Sequence, residues 1–281
     1  MNPTVPIHIG PSTKFIVSTS GRLKSIERYS ALLHNILRVD IAYFPINSGD
    51  DSNKAIDPSR FTSALRGLPC IGGAISRDIK QSVIPFLDEL DETASNINAV
   101  NTIIVHPHGK LKGYNTDVTG FKKAIVDGID KFNLHIETAV CYGYGGVTAV
   151  VVYVLQSLGI SVYIAGRNME LAAAKASKCL AFVWTKDQKV DLFVNATPAS
   201  EHPLCEAANF IEALHNAKLV FDHEMPGQFL REYCESNKIS YIPGTDMYYP
   251  QMYAQWSLFL DSIVDVETIP NLIAQAESMI K

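Results

Sequence analysis

Val140-Cys141-Tyr142-Gly143-Tyr144-Gly145-Gly146-Val147-Thr148 runs an apolar stretch into a glycine turn and out into a second apolar stretch. Glu137 to Tyr142 reads as a buried strand and Thr148 to Leu158 as a buried helix. Glycines at a strand-to-helix turn let the backbone approach a pyrophosphate at the helix N-terminus. The third small position is Thr148 rather than Gly or Ala, so the motif alone is equally a tight turn without a ligand. Its surroundings decide. Val162 to Ala165, Asp191 to Ala196, Lys218 to Asp222 and Ile239 to Ile242 read as further strands, with a helix from Met169 to Leu180. This is the pattern of a doubly wound dinucleotide-binding domain.

The second strand of that unit ends in Gly166-Arg167-Asn168 rather than in an acid. An acid there would hold a ribose 2′-hydroxyl, whereas a guanidinium pairs with a 2′-phosphate. NADP is therefore the expected cofactor, with NAD the alternative and a solvated Arg167 the plainest rival. Gly143, Gly145, Gly146, Val147, Arg167 and Asn168 form the first part of the expected cofactor site.

Upstream, Ala99 to Asp117 reads AVNTIIVHPHGKLKGYNTD. Ile103 to Val105 and Leu111 to Tyr114 flank the turn Pro107-His108-Gly109, so a hairpin is expected with Asn101 and Asp117 at its ends. Gly72 to Lys80 ends a short apolar segment with a lysine. An amine, an amide and a carboxylate from separate segments can grip a polyol and move a proton. His106 and His108 sit beside Pro107 in the turn, and surface histidines are expected there rather than a metal pair.

The rest of the first half alternates in the same way. Phe15 to Val17, Val39 to Ile46 and Cys70 to Ile75 read as strands. Tyr29 to Leu37, Pro58 to Leu68 and Ile84 to Leu90 read as helices, and Ser48 to Lys54 as a polar loop. A mainly parallel α/β sheet follows. Asp117 to Gly128 reads as a linking helix. Tyr249 to Ile280 is helical with no strand after it and is expected to return to the first domain. The expected division is a substrate domain over residues 1–117, completed by 249–281, and a Rossmann domain over 118–248.

The 281 residues are 47% hydrophobic and 19% charged, with a net charge of −5, so neither nucleic acid nor an anionic membrane is an expected partner. Five scattered cysteines without a CxxC pair read as reduced thiols, and the start MNPTVPIHIG has no signal-peptide pattern. A cytoplasmic monomer or homodimer is expected.

These residues resemble the shikimate dehydrogenase family over nearly the whole chain, including its quinate/shikimate and shikimate-dehydrogenase-like branches. The family's GxNVTxPxK matches Gly72 to Lys80, its AVNT Ala99 to Thr102, and its GxNTDxxGF Gly113 to Phe121. Its GxGG turn matches Gly143 to Gly146, its NRT Gly166 to Asn168, its DLxxNAT Asp191 to Thr197, and its GxxMxxxQ Gly244 to Gln251. The resemblance implies reversible, NADP-linked reduction of 3-dehydroshikimate to shikimate in aromatic amino-acid (chorismate) biosynthesis, with the active site between two domains. The alternatives are quinate or another cyclic polyol acid as substrate, or a dinucleotide-binding sensor with little turnover.

By the same resemblance Lys80 is the proton donor and Asp117 orients it and the substrate hydroxyl. Asn101 and Gln251 hold ring hydroxyls. Asn195, Ala196, Thr197 and Gly244 complete the cofactor site. The substrate carboxylate is expected on hydroxyls, with Ser18, Ser20, Ser30 and Ser76 as candidates, or on Arg22 or Arg28. The rival for Gln251 is a helix-start glutamine after Pro250. Departures from the family pattern fall at Ala74, Ser76 and Asp78, at Leu171 where a basic residue is expected, and in Asp222-His223-Glu224-Met225-Pro226, which lacks the family tyrosine. Asp78 is expected to keep Lys80 charged.

Overall fold

Among the described residues two six-stranded sheets organise the chain, and their strand orders differ in kind. The structure is a computed structural model that describes residues 9–20, 22–46, 56–76, 79–197, 208–225 and 228–280. The Ser48 to Lys54 loop and Asp78 lie outside the described residues. Contacts divide the chain into one unit of Met1–Thr116 with Tyr253–Lys281, and a second of Asp117–Met252.

In the first unit β1 (Lys14–Ser18) leads to α1 (Leu23–Ser30), followed by β2 (Ile41–Pro45), α2 (Pro58–Gly67) and β3 (Cys70–Ala74). After these come β4 (Glu89–Leu90), α3 (Glu92–Ile97), β5 (Thr102–Val105) and β6 (Leu111–Tyr114). The sheet order is β2-β1-β3-β5-β6-β4. β1 pairs in parallel with β2 and β3, but β5 is antiparallel to both β3 and β6. Five of the six strands run in one direction, as expected of a mainly parallel sheet, and β5 alone is reversed, because the short turn at Pro107–Gly109 returns the chain directly beside itself.

Two helices expected here take other forms. Ile84–Phe86 is one 3₁₀ turn beginning at a proline, and the chain then extends into β4, parallel to β6. Asp88 and Asp91 N–H groups donate to Leu111 and Gly113 carbonyls, so this segment belongs to the sheet. The helix expected from Tyr29 begins earlier, as α1, and widens over Ala31–Ile36 into a π-type turn. There the Leu37 N–H reaches back five residues to Leu32 O.

The second unit opens with α4, which spans Thr116–Phe132. Then follow β7 (Thr138–Tyr142), α5 (Val147–Ser157), β8 (Ser161–Ala165), α6 (Met169–Cys179), β9 (Phe182–Val183), β10 (Leu192–Asn195) and α7 (Ala208–Leu214). β11 (Leu219–Asp222), α8 (Gln228–Asn237) and β12 (Ser240–Pro243) complete the sheet, in the order β12-β11-β10-β7-β8-β9. Every pair is parallel. This is the doubly wound arrangement, and the strand order reverses between β7 and β10. Parallel strands covered on both faces read as apolar runs, and Val140, Cys141, Phe193, Val194, Val220 and Phe221 are fully buried.

The chain ends in α9 (Thr245–Leu260) and α10 (Ile269–Met279). Trp256 on α9 is fully buried, with its ring 4.4 Å from Tyr29 and 6.2 Å from Tyr43. Arg28 on α1 pairs with Glu277 on α10 at 2.8 Å. No helix among the described residues is long and apolar enough to cross a membrane.

Backbone crowding is greatest at Gly72 on β3. A Cβ there would strike the Ile103 carbonyl and lie 2.9 Å from the Phe259 ring. Gly72→Ala is expected to lower unfolding free energy by about 3 kcal/mol. Gly67→Ala, with nothing within 4 Å of the added carbon, is expected to leave it unchanged or raise it slightly. Chemical denaturation of both variants checks this pair.

Asp191 joins the starts of β7 and β10, accepting from Glu137 and Thr138 N–H groups, from the Thr138 hydroxyl and from Lys218. Burial pushes its carboxyl up, yet Lys218 and these hydrogen bonds outweigh it and hold it at about 2. A depressed carboxylate contributes stability above its unfolded value of 3.8 that fades as pH falls toward 2. Asp191→Asn is expected to lose about 2 kcal/mol at pH 7 and to show a flatter stability profile between pH 4 and 2, measured by urea titration.

Candidate functional site

In the first unit the hydroxyls gather where β1 and β3 end. Ser18, 1% exposed, directs its hydroxyl to Ser20 O at 3.2 Å and lies 3.4 Å from the Ser20 hydroxyl. The Thr19 hydroxyl donates to Ser76 Oγ at 2.9 Å and accepts the Ser76 N–H at 2.6 Å. Ser18, Ser20 and Ser76 are therefore brought together, with Thr19 as an unforeseen member. Its sequence signal was its place inside the polar run Ser18-Thr19-Ser20.

Ser30 lies at the end of α1, and among the described residues no hydrogen bond joins it to that cluster. Arg28 is buried and engaged with Glu277, so it is a clamp between helices rather than a free carboxylate partner. Arg22 stands exposed before α1.

Asn101 is 1% exposed and lies one residue before β5. Its side-chain oxygen accepts from the Thr116 N–H at 3.0 Å and the Thr102 hydroxyl at 2.8 Å, and its NH₂ donates to Thr116 Oγ at 2.9 Å. Its carbonyl accepts from Ile75 N–H at 2.7 Å. Lys80, half-buried in the turn after β3, accepts Val100 N–H on its own carbonyl at 2.8 Å, so amine and amide segments share one hydrogen-bonded stretch. Asp117 follows Thr116 in the first turn of α4, where a carboxylate faces the positive end of the helix dipole.

Gln251 does not start a helix. α9 begins at Thr245 and Pro250 lies inside it. A Cβ on Gly120 would come within 2.6 Å of Gln251 Cβ and of Met247 O, so α4 and α9 cross at Gly120. One turn on, Gln255 donates to Thr102 Oγ at 2.8 Å and to Asn101 O at 3.2 Å. Sequence reasoning missed it, although it shares a helix face with Gln251.

In the second unit, Gly143 has φ +130°, and a Cβ on it would lie 2.9 Å from Ala196 O. Only glycine serves at that turn. Gly145 and Gly146 have nothing within 4 Å of where a side chain would start, which leaves the turn open to a phosphate. Thr148 is no defect: its hydroxyl donates to Gly143 O at 3.0 Å and closes the turn. Val147 opens α5. These residues fit a dinucleotide pyrophosphate.

Arg167 is exposed at the tip of β8. Asn168 caps α6 by accepting Leu171 N–H at 3.0 Å, so its oxygen is committed within the chain. Tyr144 lies on Gly166, where a Cβ would be 2.7 Å from its ring. Asn195 is wholly buried: its NH₂ donates to Asp222 at 2.9 Å and its oxygen accepts from the Thr197 N–H and hydroxyl. Its side chain therefore shapes the loop carrying Ala196 and Thr197 rather than lining a pocket. Asp222, pushed upward by burial, also accepts Glu224 N–H. Gly244 packs against Asp222 O, 2.8 Å from where its Cβ would be.

His106 and His108 are exposed, and among the described residues no group of three or more His, Cys, Asp or Glu could hold a metal ion.

A sheet of order 3-2-1-4-5-6, with its glycine turn at the point of reversal, defines the second unit as a Rossmann-type dinucleotide-binding domain. No family model matches the chain. It is similar to the pentafunctional AROM polypeptide of Yarrowia lipolytica, 36% identical over 156 residues, which are 53% of this chain and 10% of that protein. The NADP(+) shikimate dehydrogenase of Bacillus cereus is 28% identical over 227 residues, 75% of this chain and 81% of the relative. That of Halothermothrix orenii is 36% identical over 154 residues, covering 53% and 48%. The chain thus spans about a tenth, four fifths and half the length of these relatives.

Among solved structures, a shikimate 5-dehydrogenase-like protein superposes with TM-score 0.74 at 26% identity, covering 96% of this chain and 98% of that one. Quinate dehydrogenase of Corynebacterium glutamicum, in complex with NAD, gives 0.75 at 24%, covering 94% and 98%. The chain is similar in sequence to shikimate dehydrogenases and shares the α/β fold of these solved structures.

Asn168→Ala is expected to cost about 1 kcal/mol through loss of the α6 cap, and Asn168→Asp to retain that stability. Thermal unfolding of the two variants measures it.

Proposed function

We propose that this protein is an NADP-dependent oxidoreductase of the shikimate dehydrogenase type, reversibly reducing 3-dehydroshikimate to shikimate. The observation that carries the reading is the backbone pairing that brings the Lys80 segment beside Val100-Asn101, through the Val100 N–H to the Lys80 carbonyl, on the same sheet as a cluster of hydroxyls. Homology to NADP(+)-dependent shikimate dehydrogenases supports the cofactor and substrate class.

Gly143, Gly145, Gly146 and Val147 hold the pyrophosphate at the start of α5, and Arg167 pairs with the 2′-phosphate. Ala196 and Thr197, on the loop that Asn195 holds in shape, and Gly244 would border the nicotinamide end. When bound, the dinucleotide supplies the hydride. Lys80 gives a proton to the carbonyl oxygen as it becomes a hydroxyl, and takes it back in the reverse direction. Asp117 accepts a hydrogen bond from the substrate hydroxyl. Asn101 and Gln251 orient the ring, and Ser18, Ser20 and Ser76 donate to the substrate carboxylate.

A second reading keeps the chemistry and changes the ring to quinate or a related cyclic polyol acid. Ala74 and Met225 favour it: they stand where the family pattern has a polar asparagine and a tyrosine, and Met225 is 43% exposed.

Steady-state absorbance at 340 nm tests both readings with shikimate and quinate, each with NADP and NAD. Lys80→Ala is expected to lower kcat by roughly two to four orders of magnitude. Arg167→Ala is expected to raise KM for NADP about tenfold and leave KM for NAD unchanged. Turnover retained in Lys80→Ala contradicts the proton-transfer role.

A further inference from the structure

Four side chains in the first unit form one continuous chain of donors. Gln255 donates to Thr102 Oγ, Thr102 donates to the Asn101 carboxamide oxygen, and Asn101 in turn donates to Thr116 Oγ. The direction of this chain is determined by one group that can only accept. Gln255 also faces the Asn101 backbone carbonyl at 3.2 Å, and a carbonyl oxygen has no proton to give. The NH₂ of Gln255 must therefore point at Asn101 O and Thr102 Oγ. Thr102, having accepted, spends its single proton on Asn101, which turns the amide oxygen toward Thr102 and the amide nitrogen away from it. The Thr116 N–H demands the same orientation.

We infer that Gln255 is a positioning residue which, through Thr102, fixes the carboxamide of Asn101 in the orientation that binds the substrate ring hydroxyls. This rests on the dehydrogenase reading and deepens it. Gln255 touches no reacting atom in this account. Its effect is on substrate affinity, because without the relay the Asn101 carboxamide is held in this orientation by Thr116 alone and is less firmly placed against the ring hydroxyls.

The test is a double-substitution cycle on the full chain, with KM and kcat measured for shikimate and NADP. Gln255→Leu removes both donations. Gln255→Glu keeps the shape, but its ionised carboxylate cannot donate and faces the Asn101 carbonyl. Thr102→Val removes the relay hydroxyl while leaving Gln255. Each variant is expected to raise KM for shikimate roughly two- to tenfold, the range carried by one or two neutral hydrogen bonds, with KM for NADP unchanged and kcat within about twofold.

Gln255→Leu combined with Thr102→Val is expected to be no worse than the poorer single variant, since both break one relay. Gln255→Glu is further expected to recover substrate affinity as pH falls and its carboxyl regains a donor proton. A folded Gln255→Glu with unchanged KM for shikimate at neutral pH overturns the inference, as does a strictly additive double variant or an equal rise in both KM values. Absence of turnover in the wild-type protein is a separate result: it removes the dehydrogenase reading, and the role of Gln255 falls with it.

Discussion

The carboxamide of Asn101 is the constraint from which the first unit is arranged. It ties the entry of β5 to the first residue of α4, while its backbone carbonyl holds the end of β3. Each of these bonds is buried, and a buried polar group left without a partner costs about 1–3 kcal/mol. The arrangement is therefore held in one geometry rather than several. Lys80 follows from it, because its carbonyl is bonded to Val100, the neighbour of Asn101. The second unit solves the same problem with the buried pair Asn195 and Asp222, which links the ends of β10 and β11.

The dinucleotide-binding sheet was legible in the sequence because its strands are covered on both faces and read as apolar runs. Val162 to Ala165 and Lys218 to Asp222 needed no tertiary information. The first sheet was harder for a physical reason. β4 is two residues long, and Ile84, Leu87 and Leu90 recur every three residues, a spacing that mimics a helix although Pro85 and pairing with β6 extend the chain. Leu32, Leu33, Ile36 and Leu37 have plain helical spacing, which does not distinguish an α-helix from the π-type turn found there.

The candidate site was legible as a set of residues and only partly as a set of roles. Motif spacing picked out Asn168 and Asn195, but side-chain direction is a tertiary property. Asn168 caps α6 and Asn195 locks its own loop. Ser76 was singled out, whereas its partner Thr19, 57 residues earlier, becomes its neighbour only when β1 and β3 pair. Gln255 escaped notice because its meaning depends on Thr102, reached only across a helix-to-strand contact.

The most direct measurement of the central claim is the crystal structure of the protein soaked with NADP and shikimate together. Pyrophosphate oxygens are expected on the Gly145 and Gly146 N–H groups, the 2′-phosphate on Arg167, and the substrate ring within hydrogen-bonding distance of Lys80 and Asn101. A ternary complex with the ring bound away from Lys80, or with the dinucleotide absent from the glycine turn at saturating concentration, would contradict it.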